Sequence, residues 1–231
     1  MVKFAASIIC ANQLELKQEL QKLENAHIDM LHCDIMDGVF VNNLGMGPYV
    51  IEQIKEYTKI PLDLHFATVD PEKFIKLFLY IKPEYISFHA ETTEDYCKII
   101  NLIKGSGIKA SIAISPETSV NVIKDVLKDI DMILMMTVNP GFAGQVFRKD
   151  VLGKIRQVKE ICKKNNNNNP LIEVDGNINE KTIPDVINAG ADVLVLGTSS
   201  IFNNKINDYS HYVKKIKDSI NQILQTQAAD K

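Results

Sequence analysis

Two histidines and two aspartates stand out because each interrupts an apolar run, where a titratable group is costly to bury. His32 and Asp34 are two residues apart in Met30-Leu31-His32-Cys33-Asp34-Ile35-Met36. In an extended strand that spacing turns both side chains to one face. His65 follows in Leu62-Asp63-Leu64-His65, and Asp175 closes Leu171-Ile172-Glu173-Val174-Asp175 just ahead of Gly176. A glycine there lets the backbone turn sharply toward a ligand. Taken singly, a strand histidine is more often a hydrogen-bonded core residue, and an aspartate at a strand end more often a helix cap. Together, two imidazoles and two carboxylates at strand ends suit a borderline divalent cation, with Zn2+, Fe2+, Mn2+ and Co2+ all compatible.

A second group of residues points to an anion. Three glycine-bearing segments follow apolar runs late in the chain: Asn139-Pro140-Gly141-Phe142-Ala143-Gly144-Gln145, Asp175-Gly176-Asn177 and Gly197-Thr198-Ser199-Ser200. Backbone N–H groups in such turns approach a phosphate closely. Each segment alone reads equally well as a plain turn; three at successive strand ends favour a phosphate cradle. No Walker or dinucleotide fingerprint is present. Met36, Met135 and Met136 flank the polar strand ends, and on chemistry alone they read as core filler.

These residues need elements to bring them together. Short, largely apolar runs recur at Phe4–Ile9, Met30–Met36, Leu62–Ala67, Tyr85–Ala90, Ala110–Ile114, Met132–Val138, Leu171–Asp175 and Val193–Gly197. That is the signature of parallel strands covered on both faces. Amphipathic stretches lie between them, among them Gln13–Ala26, Pro71–Tyr80, Glu94–Lys104, Asn121–Leu127, Lys149–Lys163 and Asn179–Ala189. Asp70-Pro71-Glu72 reads as a capped helix start, and Gly105 and Gly190 as helix ends. Eight strand–helix repeats predict a closed (β/α)8 TIM barrel, with catalytic groups at the C-terminal ends of the strands. The Asn165–Asn169 run is expected to be a solvated loop on the opposite side, and the tail from about Gln225 to be frayed.

The bulk numbers agree with one such domain over residues 1–231. The chain is 45% hydrophobic and 24% charged with net charge −3, ordinary values for a globular protein. Interspersed charges argue against a nucleic-acid or membrane partner, and no apolar run would span a bilayer. The N-terminal segment reads as a buried strand rather than a signal peptide. Four scattered cysteines without metal-type spacing fit reduced thiols in the cytoplasm.

Over nearly its whole length the chain resembles the ribulose-phosphate 3-epimerase family. The segments that carry the resemblance are Ala6-Ser7-Ile8-Ile9, His32-Cys33-Asp34-Ile35-Met36-Asp37-Gly38, Leu62-Asp63-Leu64-His65, Thr137 to Phe147, and Glu173-Val174-Asp175-Gly176. The resemblance implies a barrel of the ribulose-phosphate-binding type and one divalent metal ion per subunit, Zn2+ or Fe2+ ahead of Mn2+ or Co2+. It implies that His32, Asp34, His65 and Asp175 hold the metal and that Asp34 and Asp175 move the protons. Substrate contacts would come from Ser7, His65, Met36, Met136, Gly141, Phe142, Ala143, Gly144, Gly176, Asn177, Gly197 and Thr198. The implied reaction converts D-ribulose 5-phosphate to D-xylulose 5-phosphate at C3 in the non-oxidative pentose phosphate pathway, by a homo-oligomer, dimer or hexamer.

The chain departs from the family pattern at Phe66-Ala67, where Leu-Met is usual, so one methionine of the pocket is missing. Asn177 replaces a common Gly, Thr198 a Ser and Ala143 a Gly. Two other readings stand beside this one. Phosphosugar decarboxylase barrels carry Asp-x-Lys-x-x-Asp on the third strand, but here His65 occupies the lysine's place. A non-catalytic phosphosugar-binding barrel with a structural metal is the alternative from a different class.

Overall fold

In the computed structural model, which describes residues 2–164, 169–203 and 205–229, eight parallel strands close into a barrel in chain order. They are β1 (Lys3–Ser7), β2 (Met30–Met36), β3 (Leu62–Ala67), β4 (Tyr85–His89), β5 (Lys109–Ile114), β6 (Met132–Met136), β7 (Leu171–Asp175) and β8 (Val193–Leu196). Closure is the pairing of β1 with β8, Lys3 opposite Val193 and Ala6 opposite Leu196. Around the barrel run α1 (Leu16–Asn25), α2 (Pro48–Tyr57), α3 (Pro71–Lys76), α4 (Tyr96–Gly105), α5 (Val151–Lys164), α6 (Ile183–Ala189) and α7 (Tyr209–Ala229). None of the described helices is long and apolar enough to cross a membrane.

The strand alternation sorts the core into two parts. Outward residues such as Leu31, Cys33, Ile35, Leu64 and Phe66 join the helices in one large apolar cluster. Inward residues Ala5, Met30, Tyr85, Met132, Val193 and Val195 form a separate apolar plug inside the barrel. Polar side chains are also sealed within the molecule, among them His32, Asp63, Ser87, Ser111 and Glu173, all with no exposed surface. A barrel interior is normally packed with branched apolar residues, so this polar layer marks where function overrides packing.

Several sequence expectations are corrected. Four strands end one or two residues early: the chain leaves the sheet after Ser7, His89, Met136 and Leu196. Beyond those ends Ile9, Val138 and Gly197 line the pocket at the mouth, while Ile8 and Ala90 join the outer apolar cluster. The expected helix Asn121–Leu127 is instead a 3-10 turn at Val120–Ile123. Val126 N–H donates to Ile123 O and Asp129 N–H to Val126 O, the tighter three-residue spacing. The β-branched density of Val120, Val122, Ile123 and Val126 disfavours a regular helix there. Pro71–Tyr80 likewise splits into α3 and a 3-10 turn at Leu79–Ile81. The Asp70 cap is present, accepting from Lys73 N–H at 3.2 Å. Gly105 is the last residue of α4, and the left-handed turn falls on Gly107 (φ 74°); Gly190 takes that role as expected (φ 111°). The tail expected to fray from Gln225 is helical to Ala229, in keeping with its Gln and Ala content. Of the Asn165–Asn169 run, residues 165–168 lie outside the described part.

Candidate active site and metal centre

Register carries the candidate ligands to one place. His32 lies opposite Asp63 and Asp34 opposite His65 in the β2–β3 ladder. Ser7 pairs with His32 between β1 and β2, and Met136 with Asp175 between β6 and β7. His32, Asp34, His65 and Asp175 each offer one ligand atom such that all four atoms lie within 4.8 Å of one another.

The local contacts are specific. His65 Nδ1 is 3.0 Å from Asp34 Oδ1, and Ser7 Oγ donates to Asp34 Oδ2 at 3.3 Å. His32 Nε2 is buried and makes no hydrogen bond among the described residues. It faces Asp34 Oδ1 at 3.5 Å and Asp175 Oδ2 at 3.9 Å. An orphaned, buried imidazole nitrogen aimed between two carboxylates is what a cation would satisfy, so the donor set fits a divalent metal.

Behind His32, its Nδ1 is 2.6 Å from Asp63 Oδ2 and 3.8 Å from Glu173 Oε1. These three residues also converge closely enough to ligate an ion. The short Asp63 contact already occupies Nδ1, which makes Asp63 a support that leaves Nε2 free for the mouth.

Charges in the cluster are strongly polarised. Burial opposes protonation of His32, but the Asp34 and Asp63 carboxylates outweigh it and raise its pKa well above the ordinary value. Burial also works against ionised Asp34, yet His32 and His65 hold it well below the usual carboxylate range. Asp175 shifts the other way, raised by burial and by Asp34 against the pull of His32. Glu173 is pushed well up by burial and by Asp63.

The mouth above this cluster is a pocket of about 330 Å3. Ser7, Asp34, Met36, His65, Met136 and Asp175 line it, as do Gly141, Phe142, Ala143, Gly144, Gly176, Asn177, Gly197 and Thr198. His32 sits below, out of the lining. Met135 points instead into the layer between barrel and helices. Phe66 does not replace the missing methionine: it too faces outward, edge-on to Phe78 at 5.2 Å, and Ala67 lines the pocket.

The loops are locked by specific contacts, some of them from residues such as Asn43 and Gly45 that the sequence reading passed over. Thr137 Oγ1 donates to Asp175 O at 2.9 Å and Gly176 O at 2.6 Å, fixing the end of β7. Gly176 (φ 124°) admits no side chain, since a Cβ would stand 2.7 Å from Val138 N. Gly45 allows the loop after β2 to lie against that strand, where any Cβ would collide with Asp34 O and Met36 N. Asn177 takes the left-handed conformation (φ 53°) and its Nδ2 donates to Gln145 O at 2.8 Å. Asn43 Nδ2 donates to Gly141 O at 2.7 Å. Asp63, Glu173 and His89 were missed as well, although Asp63 and Glu173 stand two residues before His65 and Asp175 and so share their inward face.

Comparison with known proteins places the chain in a family. The sequence profile of the Ribulose-phosphate 3 epimerase family matches residues 3–202. The chain is 41% identical over 199 residues to ribulose-phosphate 3-epimerase of Bacillus subtilis, covering 86% of this chain and 92% of that one. It is 37% identical over 224 residues to the protein of the same name from Methanocaldococcus jannaschii, with coverage of 97% and 93%. Among solved structures, KGPDC from Streptococcus mutans superposes with a TM-score of 0.66 at 12% identity, covering 97% of this chain and 100% of that one. At that identity the likeness is one of fold alone.

Proposed function

Because the chain belongs to the ribulose-phosphate 3-epimerase family, we propose that it interconverts D-ribulose 5-phosphate and D-xylulose 5-phosphate at C3, in the non-oxidative pentose phosphate pathway. The observation that carries this reading is the convergence of Asp34 and Asp175 with His32 and His65 at the floor of an open pocket. Those four residues would hold one divalent cation, and the mixed donor set suits Zn2+ or Fe2+ with Mn2+ or Co2+ also accommodated. Such an ion supplies Lewis-acid stabilisation of the negative charge that develops when C3 loses its proton.

The chain's own residues do the rest. Inverting a carbon requires a proton to leave one face and another to arrive on the other. Asp34 on β2 and Asp175 on β7 are separated around the ring by β1 and β8, so they approach the pocket from two sides. The two carboxyls are shifted in opposite directions, Asp34 down by His32 against its burial and Asp175 up by burial; the scheme asks one carboxyl to take a proton while its counterpart gives one. Which of them removes the proton depends on the direction of reaction. Ser7 steadies Asp34 through its hydroxyl. Met36 and Met136 offer the planar enediolate an apolar surface with no proton to give.

Among the described residues, no Lys or Arg lines the pocket. A phosphate dianion is therefore assigned to the backbone amides around Gly141–Gly144, Gly176–Asn177 and Gly197–Thr198, which anchor the substrate and set C3 over the carboxylates. The four cysteines are free, in keeping with a reducing compartment such as the cytoplasm. A homo-oligomer, dimer or hexamer, completes the proposal and is read directly by analytical ultracentrifugation.

The test is to incubate metal-loaded protein with D-ribulose 5-phosphate in D2O, with and without chelator, following product and deuterium at C3 together. Metal-dependent product carrying deuterium supports the proton-transfer scheme. No product and no exchange from folded, metal-replete protein would leave a phosphosugar-binding barrel with a structural ion. A structural site is normally closed, whereas Asp34 and Asp175 border the pocket.

A further inference from the structure

His65 presents two nitrogens to two different neighbours. Nδ1 faces Asp34 Oδ1 at 3.0 Å, on the side of the metal cluster. Nε2 faces His89 Nε2 at 2.9 Å, at the end of β4. His89 has no exposed surface, and its remaining nitrogen, Nδ1, is 2.9 Å from Glu91 Oε2. The other oxygen of that carboxylate, Oε1, accepts the backbone N–H of Ser115 at 2.9 Å. A four-group chain thus runs from the cluster through two imidazoles to a carboxylate pinned by the backbone after β5. The companion histidine, His32, is backed directly by the sealed Asp63 carboxylate.

Donor and acceptor rules fix the direction of the chain. A ring nitrogen that ligates a metal carries no proton, so His65 with Nδ1 on the metal carries its proton on Nε2. That N–H needs a lone pair in front of it, which His89 Nε2 supplies when the His89 proton is on Nδ1. An ionised carboxylate only accepts, so Glu91 requires a proton on His89 Nδ1. Ser115 N–H cannot reverse its role and holds Glu91 in place.

We propose that Glu91 is a positioning residue for the metal site: through His89 it selects the tautomer of His65 whose Nδ1 is free to bind a divalent cation. The proposal rests on the metal reading given above and adds to it a residue that touches neither metal nor substrate.

Glu91→Gln separates this role from simple packing. A carboxamide has one acceptor oxygen, and both Ser115 N–H and His89 Nδ1–H need one; Ser115 Oγ, 3.4 Å from His89 Nδ1 against 2.9 Å for Glu91 Oε2, is the more distant alternative acceptor. With the oxygen on Ser115, the NH2 group faces His89 and the chain reverses, moving the His65 proton to Nδ1. The variant is expected to bind Zn2+ about 10–100-fold more weakly than the wild type, the range for loss of an outer-shell partner, in competition with a chromophoric chelator. The second measurement needs no variant. In 15N-histidine-labelled, zinc-loaded wild type, long-range 1H–15N spectra are expected to show His65 protonated at Nε2 and His89 at Nδ1. A wild type that binds zinc while E91Q binds it equally well, or a His89 protonated at Nε2, overturns the relay and leaves the metal reading standing. A wild type that takes up no zinc overturns both.

Discussion

Asp34 and Asp175 share the same imidazole neighbours yet are driven in opposite directions, one toward ionisation and one toward protonation. On the proposed scheme neither carboxyl is replaceable by an amide. Asp34→Asn or Asp175→Asn is expected to lower kcat by at least about 100-fold, and near-normal turnover by either variant would end the two-carboxylate scheme. Glu91 offers a separate, substrate-free readout. Burial opposes its ionisation, but His89 and then Thr118 and Ser115 lower its pKa from 4.5 to about 2. A depressed folded pKa means the unfolded chain binds more protons between those values, so this contribution is complete above pH 4.5 and drains away as pH falls toward 2. The melting temperature of the metal-free protein should therefore fall through that window, and less steeply in E91Q, as differential scanning fluorimetry across pH would show. The four residues of the His/Asp cluster were legible because ionisable residues stand out in apolar runs. Asp63 and Glu173 obey the same alternation, but a buried carboxylate that serves another side chain has no sequence mark of its own. His89 was hidden for a related reason: its partner His65 lies on a different strand, and only the β3–β4 register brings them together.

At the scale of elements, the strand pattern was legible and the strand ends were not. Phe4–Ile9 and Met132–Val138 continue as apolar sequence beyond the last ladder pair, and apolarity alone does not say whether a residue pairs or turns inward over a pocket. The connection after β5 was overread because Val120, Ile123, Val126 and Leu127 fall at helical spacing, while their backbone bonds close at three residues instead of four. Phe66 illustrates what the alternation does settle. It stands between the inward His65 and Ala67, so it must face the helices, where it meets Phe78. Phe66→Ala should cost about 3–5 kcal/mol of stability in urea unfolding, with KM for the pentulose phosphate nearly unchanged in the protein that remains folded. Gly176→Ala acts at the other kind of junction, where β7 gives way to the mouth. Its φ of 124° and the close Val138 backbone predict a loss of about 1–3 kcal/mol, visible in the same measurement.

For the molecule as a whole, a cation held as proposed by residues of β2, β3 and β7 would tie together parts of the ring that the backbone connects only indirectly. Bound at a hundredfold over its Kd, it should add about 2.7 kcal/mol to unfolding, or roughly 5–10 °C for a chain of this length. Chelation should reverse that gain and abolish epimerisation together; calorimetry with and without added ion would separate a stabilising site from an inert one. Closure of the ring has a further consequence, in the order of manufacture. The ribosome delivers His32, Asp34 and His65 well before Asp175, and β8, the partner that seals β1, comes last of the strands. At about 5–20 residues per second, a nascent chain spends seconds with three of the four donors made and the edge of β1 unpaired. Message truncated anywhere short of β8 would yield a sticky, open sheet without turnover, so activity arrives in a single step with the final strand.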